Sequence, residues 1–298
     1  MEPNELIYIL SDSRSGSTAL TMQLGLHKGI FAAGEVHQYP YYEKCLKKGK
    51  SHCTCGMPFY DCSFWSEVRE YLIESYGEIP NTRYPKSKSY LKQIMPLLRL
   101  YRKKRTLEEV KLSENIQRFF NAVSAVSCAN CIVDSSKWAE HAMLYTATPE
   151  LKERLVVLYL IRCPLECVLS KKKRAAGSLL LGCLSWLSTN AKCLVAFSAI
   201  PKENRLFVRY DQLSDPDARE FQKIYQFLNR YEQESEKAKE MHNLGGSPGR
   251  ARGCSYRWKN PTEMKITTKK IKHLLIQAFL TPFYLMFCKV GDLLSCKI

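Results

Sequence analysis

The chain has 298 residues, 45% hydrophobic and 25% charged, a composition that supports a sizeable core without covalent staples. Lys and Arg number 45 against 29 Asp and Glu, a net charge of +16 that suits an anionic ligand; most of the lysines read as solvated surface. Thirteen cysteines, an odd count with no secretory signal in MEPNELIYIL, argue for reduced thiols in a cytoplasmic setting.

The predicted elements alternate along the chain. LIYIL (6–10) is an apolar run suited to a buried strand. SDSRSGSTAL (11–20) follows as a small-residue turn, and TALTMQLGL (18–26) as a helix. GIFAAGEV (29–36) predicts the second strand. Residues 40–107 read as a helical insertion on the acceptor side. Within and just beyond it, 83–111 carries ten basic residues with Glu108 and Glu109 as its acids, and reads as an exposed helix, a lid or an acceptor-binding face. EEVKLSENIQRFFNAVSAV (108–126) predicts a helix and CIVDSS (131–136) a strand. RLVVLYLIR (154–162) is a strand followed by a helix over PLECVLSKKKRAA (164–176), and NRLFVRYDQL (204–213) is a fifth strand. LLIQAFLTPFYLMFC (274–288), with Pro282 inside, is too short to span a bilayer and reads as a buried C-terminal helix. Lys269, Lys270, Lys272 and Lys289 around it leave peripheral membrane contact as the alternative. Strands alternating with helices imply a doubly wound parallel sheet, with ligands at the carboxyl ends of its strands. No repeat or low-complexity tract interrupts it, and the chain reads as one domain, 1–298.

Two stretches carry anion chemistry. A turn between a strand and a helix offers backbone N–H groups and the positive helix end. In that turn Ser15, Gly16, Ser17 and Thr18 are small enough for a phosphate to reach the backbone, and Arg14 adds charge. The lysine of an ATP- or GTP-binding loop does not follow Gly16, which counts against an ordinary NTPase. In LYLIRCPLECVLSKKKR (158–174), Arg162 ends a strand and Ser170 lies about two turns into the next helix, where the two could grip one phosphate. The alternative is that Arg162 is an ion-pair partner and Ser170 incidental.

RSGSTAL after the first strand and RCPLECVLSKK after a later one together resemble the sulfotransferase family that uses 3′-phosphoadenosine-5′-phosphosulfate (PAPS). CTCGMPFYDCSFW (53–65) and IVDSSK (132–137) resemble segments of a bacterial-type branch of that family; VRYDQL (208–213) resembles the family's strand ending in Tyr-acid, and MHNLGGSPGRARG (241–253) followed by YRW (256–258) its C-terminal loop, all in the family's order. The likeness runs from about residue 6 to 260. It departs at Cys163, where Asp is usual, and at Ser247, where Asn is usual. The resemblance implies an α/β, P-loop-like three-layer fold: a central parallel sheet flanked by helices, plus the helical insertion. It also implies that Arg14 and Ser15 to Thr18 hold the 5′-phosphosulfate, that Arg162 and Ser170 hold the 3′-phosphate, and that Tyr210 lies near the adenine. Arg250 or Arg252 in the late Gly-rich loop could close over the 3′-phosphate.

The expected reaction moves a sulfuryl group from PAPS to a hydroxyl or amine of a small-molecule acceptor, releasing the desulfated nucleotide PAP. In-line displacement of this kind needs positioning and cations at the leaving oxygen, and no metal is obligatory. Arg14 and Lys137 are the expected cations, with a Lys137–Asp134 structural pair as the alternative. A base must take the acceptor proton. Glu35 is the first candidate and His37 the second, since residues 35 and 37 share a face if the strand continues through them. The Cys53/Cys55/Cys62 cluster, with Cys45 and His52 near in sequence, lacks paired C-x₂-C spacing and reads as reduced thiols, so no metal site is expected. Competing readings are a nucleotide kinase or phosphohydrolase with a degenerate loop, and a basic module for RNA or anionic lipid. No RNA-binding signature is present, so nucleic acid is not an expected partner.

Overall fold

The computed structural model describes residues 3–44, 52–85, 90–172, 178–213, 219–228, 241–245 and 270–296. Five strands form one parallel sheet: β1 (Glu5–Ser11), β2 (Ile30–Gly34), β3 (Cys131–Lys137), β4 (Leu155–Ile161) and β5 (Arg205–Arg209), in the order β2-β3-β1-β4-β5. The helices are α1 (Ser17–Leu24), α2 (Tyr39–Lys44), α3 (Ser63–Tyr76), α4 (Tyr90–Tyr101), α5 (Leu107–Ser127), α6 (Ala139–Ala147), α7 (Pro149–Lys152), α8 (Pro164–Lys172), α9 (Leu179–Ala199), α10 (Arg219–Phe227) and α11 (Lys270–Leu294). All five strands lie where the apolar runs predict them, and the sheet is the α/β, three-layer arrangement expected.

Strand residues alternate between two cores, as a period of two requires. Leu6, Tyr8 and Leu10 of β1 join the larger core, with residues of α3, α5, α6, α8, α9 and α11. Ile7 and Ile9 join the smaller one, with Leu20 and Leu24 of α1 and Phe221 and Ile224 of α10. A sheet covered on both faces explains why the strands read as continuous apolar runs. The strand order reverses at β1, which pairs with β3 on one side and β4 on the other. Chain segments leaving β1, β3 and β4 therefore open onto one crevice.

Four readings change. β2 ends at Gly34, so Glu35 sits in a turn and His37 in the 3₁₀ turn Val36–Gln38; the two do not share a strand face. The cause is backbone proximity. Gly34 has φ +80, and a Cβ there would stand 2.3 Å from the Leu244 carbonyl oxygen. Second, α11 is not wholly buried. Leu280, Phe287 and Cys288 pack inward, while Phe279, Leu285, Met286 and Leu293 are exposed, because only one helical stripe faces α8 and α9. Lys269, Lys270 and Lys272 lie outside the residues whose side chains are described. Third, the basic 83–111 region is not simply a solvated surface: Tyr84, Leu97 and Leu100 are buried. Fourth, α9 escaped the sequence reading. Among the described residues it is the one helix long and apolar enough to cross a membrane by length and composition. One face packs Cys183, Trp186, Cys193 and Phe197 into the larger core beside α6 and α8, while Leu180, Leu181, Leu184 and Val195 are exposed.

Candidate active site

Each strand delivers a chemistry-bearing residue at or just beyond its carboxyl end: the 12–16 loop after β1, Glu35 after β2, Lys137 ending β3, Arg162 after β4 and Tyr210 after β5. The loop after β1 is shaped by backbone geometry. Gly16 caps α1 with φ +94, and its missing side chain is required, because a Cβ would stand 2.2 Å from the Tyr210 ring. No side chain caps α1, and its first i→i−4 bond runs from the Leu20 amide to the Gly16 carbonyl at 3.1 Å. No acidic side chain occupies its first turn, which leaves the positive end of the helix open to an anion. Ser15 and Ser17 are buried, and Ser15 Oγ lies 3.7 Å from Cys167 Sγ.

The second anion element meets the first through Arg14. Arg14 Nε donates to Ser170 Oγ at 3.0 Å, and its backbone carbonyl accepts from Arg162 Nη1 at 3.3 Å. The Arg162 guanidinium lies 4.1 Å from the Tyr210 ring centroid, a cation–π contact, and its Nε donates to Glu166 at 2.6 Å. Arg162 is thus an ion-pair partner as well as part of this cluster, and Glu166 supplies the local carboxylate that Cys163 does not. Coulombic attraction from Tyr210 and Glu166 outweighs burial and raises the Arg162 pKa further. Arg250 and Arg252 lie outside the described residues.

The base candidate pairs with the cation candidate. Lys137 Nζ donates to Glu35 Oε1, and Gln38 Nε2 to Glu35 Oε2. Asp134, the alternative partner of Lys137, instead accepts from Ser136 Oγ at 2.6 Å and Tyr145 OH at 2.8 Å. Arg14 and Lys137 both sit at φ 73, a left-handed backbone uncommon outside glycine. The Glu35 N–H donates to the Leu244 carbonyl at 2.8 Å, and the Leu244 N–H to the Ala33 carbonyl at 2.8 Å. His37 is buried against Trp138, with ring centroids 4.3 Å apart, and its N–H donates to Ser136 Oγ at 3.1 Å.

Glu35, His37 and Lys137 line a cavity of 320 Å³ together with Asp12, Ser13, Tyr84, Pro96, Trp138, Glu140, Thr189 and Lys192. The last eight were not singled out from the sequence. Asp12 carried the best signal, since it lies in the loop itself. It is buried, and burial raises its pKa despite Lys171, whose Nζ is 2.5 Å from its Oδ2. Lys192 and Glu140, 3.4 Å apart, come from α9 and α6, and nothing in their spacing joins them. Farther from the cavity, Cys53, Cys55 and Cys62 meet His242, whose place in the sequence, about 180 residues on, gave no sign of this. His52 is not in this group and pairs by its backbone with Pro58; Cys45 lies outside the described residues.

No family model matches the chain, and no curated protein matches it. Among the solved structures that match, two align over nearly its full length. The sulfotransferase domain of the olefin synthase from Synechococcus PCC 7002 covers 94% of this chain and 95% of its own, at 15% identity and a TM-score of 0.52. The sulfotransferase domain from the curacin biosynthetic pathway covers 94% and 98%, at 17% identity and a TM-score of 0.49. The first likeness shows that the chain has the fold of a sulfotransferase domain.

Proposed function

We propose that the protein transfers a sulfuryl group from PAPS to a hydroxyl or amine of a small molecule, giving PAP and a sulfate ester or sulfamate. The observation that carries this reading is the convergence of a lysine-free, glycine-capped anion loop with the Arg14–Ser170 and Arg162–Tyr210 contacts, one step from a carboxylate–lysine pair.

The residues fit the donor. The open α1 terminus and the hydroxyls of Ser15, Ser17 and Thr18 suit one phosphate group, and the forked guanidinium of Arg162 with Ser170 suits a second. Tyr210 is packed between Gly16 of the loop and Arg162 and so ties the two phosphate elements together. When bound, PAPS supplies the activated sulfuryl group and a phosphate leaving group. Arg14, Lys137 and the loop amides stabilise charge on the leaving oxygen. Glu35, oriented by its hydrogen bonds from Lys137 and Gln38, takes the acceptor proton. The 320 Å³ cavity beside Glu35 holds the acceptor, and its size supports a small molecule.

The test is incubation with PAPS labelled in the sulfuryl group and a panel of alcohols, phenols and amines, without added magnesium. Label should pass to at least one acceptor with stoichiometric release of PAP. Phosphoryl transfer from ATP with magnesium, and none from PAPS, would overturn the proposal.

A further inference from the structure

The side chains of Cys53, Cys55, Cys62 and His242 bring four ligand atoms within 4.8 Å of one another. Cys55 Sγ lies 3.7 Å from Cys62 Sγ, and His242 Nδ1 lies 3.6 Å from Cys53 Sγ and 3.2 Å from Cys62 Sγ. A tetrahedral zinc ion with ordinary bond lengths needs about 3.8 Å between sulfurs and about 3.6 Å between sulfur and nitrogen. We infer that these residues form a closed Cys₃His site for a structural zinc ion.

The surroundings are those of a metal site. Cys53 and Cys62 are fully buried, and a ring of thiols and imidazole gains little from mutual hydrogen bonds alone. The Phe64 ring stacks on the His242 ring at 5.0 Å and an interplanar angle of 13°, which fixes the imidazole orientation. The first three ligands lie on a tight loop, where the Cys53 N–H donates to the Met57 carbonyl at 2.9 Å and Gly56 turns at φ +93. On binding, zinc displaces the protons of three thiols and takes the lone pair of neutral Nδ1, so three protons are released and the site carries one net negative charge. Four protein ligands leave no open position, which marks the role as structural.

The ion ties two distant segments together. Thr54 Oγ1 donates to the Met241 carbonyl and accepts from the Asn243 N–H at 2.8 Å, so the loop already touches the 241–245 strap. That strap bonds to Ala33 and Glu35 through Leu244. The zinc therefore positions the backbone beneath Glu35, a consequence that rests on the proposed sulfotransfer; the metal site itself does not.

The experiment measures metal on the full-length protein by mass spectrometry after gel filtration. About one zinc per chain is expected, falling below about 0.2 in Cys62→Ser and His242→Ala and unchanged in Cys128→Ser and His52→Ala. Should a ligand variant not fold, the wild type still decides. Cobalt exchanged into it should give a thiolate charge-transfer band, and His242→Cys should keep the metal with a shifted band. Wild-type protein without stoichiometric zinc or a cobalt–thiolate band, or with a disulfide among the three cysteines, overturns the inference whether or not sulfuryl transfer is found.

Discussion

Gly16→Ala probes the joint between the loop and the rest of the site. The added Cβ would stand 2.2 Å from Tyr210 Cε2 and 2.3 Å from Cδ2, far inside van der Waals contact. Tyr210 has little room to retreat, because Arg162 covers it at 4.1 Å and is itself held by Glu166 at 2.6 Å. The residue also adopts φ +94, which alanine reaches only with strain. Backbone strain and the disturbed cation–π contact together cost on the order of 2–4 kcal/mol. The same distortion of the anion loop should lower PAP affinity about tenfold or more, a binding loss of about 1.4 kcal/mol. Urea unfolding followed by circular dichroism reads the stability, and calorimetry with PAP reads the affinity. Adding Tyr210→Leu should relieve the clash, making the double variant more stable than the sum of the singles by about 1 kcal/mol. Strict additivity, or wild-type affinity in Gly16→Ala, would refute the packing argument.

Glu35→Gln should hold PAP affinity within about twofold while lowering kcat about 100-fold or more, and unchanged turnover removes Glu35 as the base. Lys137→Ala should also lower kcat, and normal catalysis there takes Lys137 out of the mechanism. Lys192→Met removes a cation from the cavity wall beside Glu140 and should raise the acceptor KM with little change in PAP affinity; an unaltered KM places the acceptor elsewhere. Asp134 is buried, and burial pushes its pKa up to about 6. Ionising it in the folded protein costs more than in the unfolded chain, so its contribution is lost as pH rises from about 4 to about 6, by up to about 3 kcal/mol. Denaturation across that range should show this slope for the wild type relative to Asp134→Asn; a flat difference contradicts it.

The sheet was legible because each strand is buried on both faces and so reads as an unbroken apolar run, from LIYIL to RLFV. The loop was legible because its residues are contiguous. What sequence spacing does not carry is contact between distant segments. Glu35 and Lys137 were each selected, yet their pairing depends on β2 lying beside β3. The strand assumed through His37 ends early because the 241–245 strap bonds to β2, a contact with no local signature. The cavity wall comes from α4, α6 and α9, and α9 was unread because its apolar residues run around much of the helix. His242 is the clearest case: three cysteines without a fourth group look like ordinary thiols until the fold supplies the imidazole.

The site at the carboxyl ends of the strands should bind a 3′-phosphorylated, 5′-phosphorylated adenosine without magnesium. Thermal unfolding of the intact protein with PAP, against ATP plus magnesium at equal concentration, tests it directly. PAP alone should raise Tm in a concentration-dependent way, and Arg162→Ala should abolish the shift. Stabilisation by ATP and magnesium with none by PAP would contradict the account.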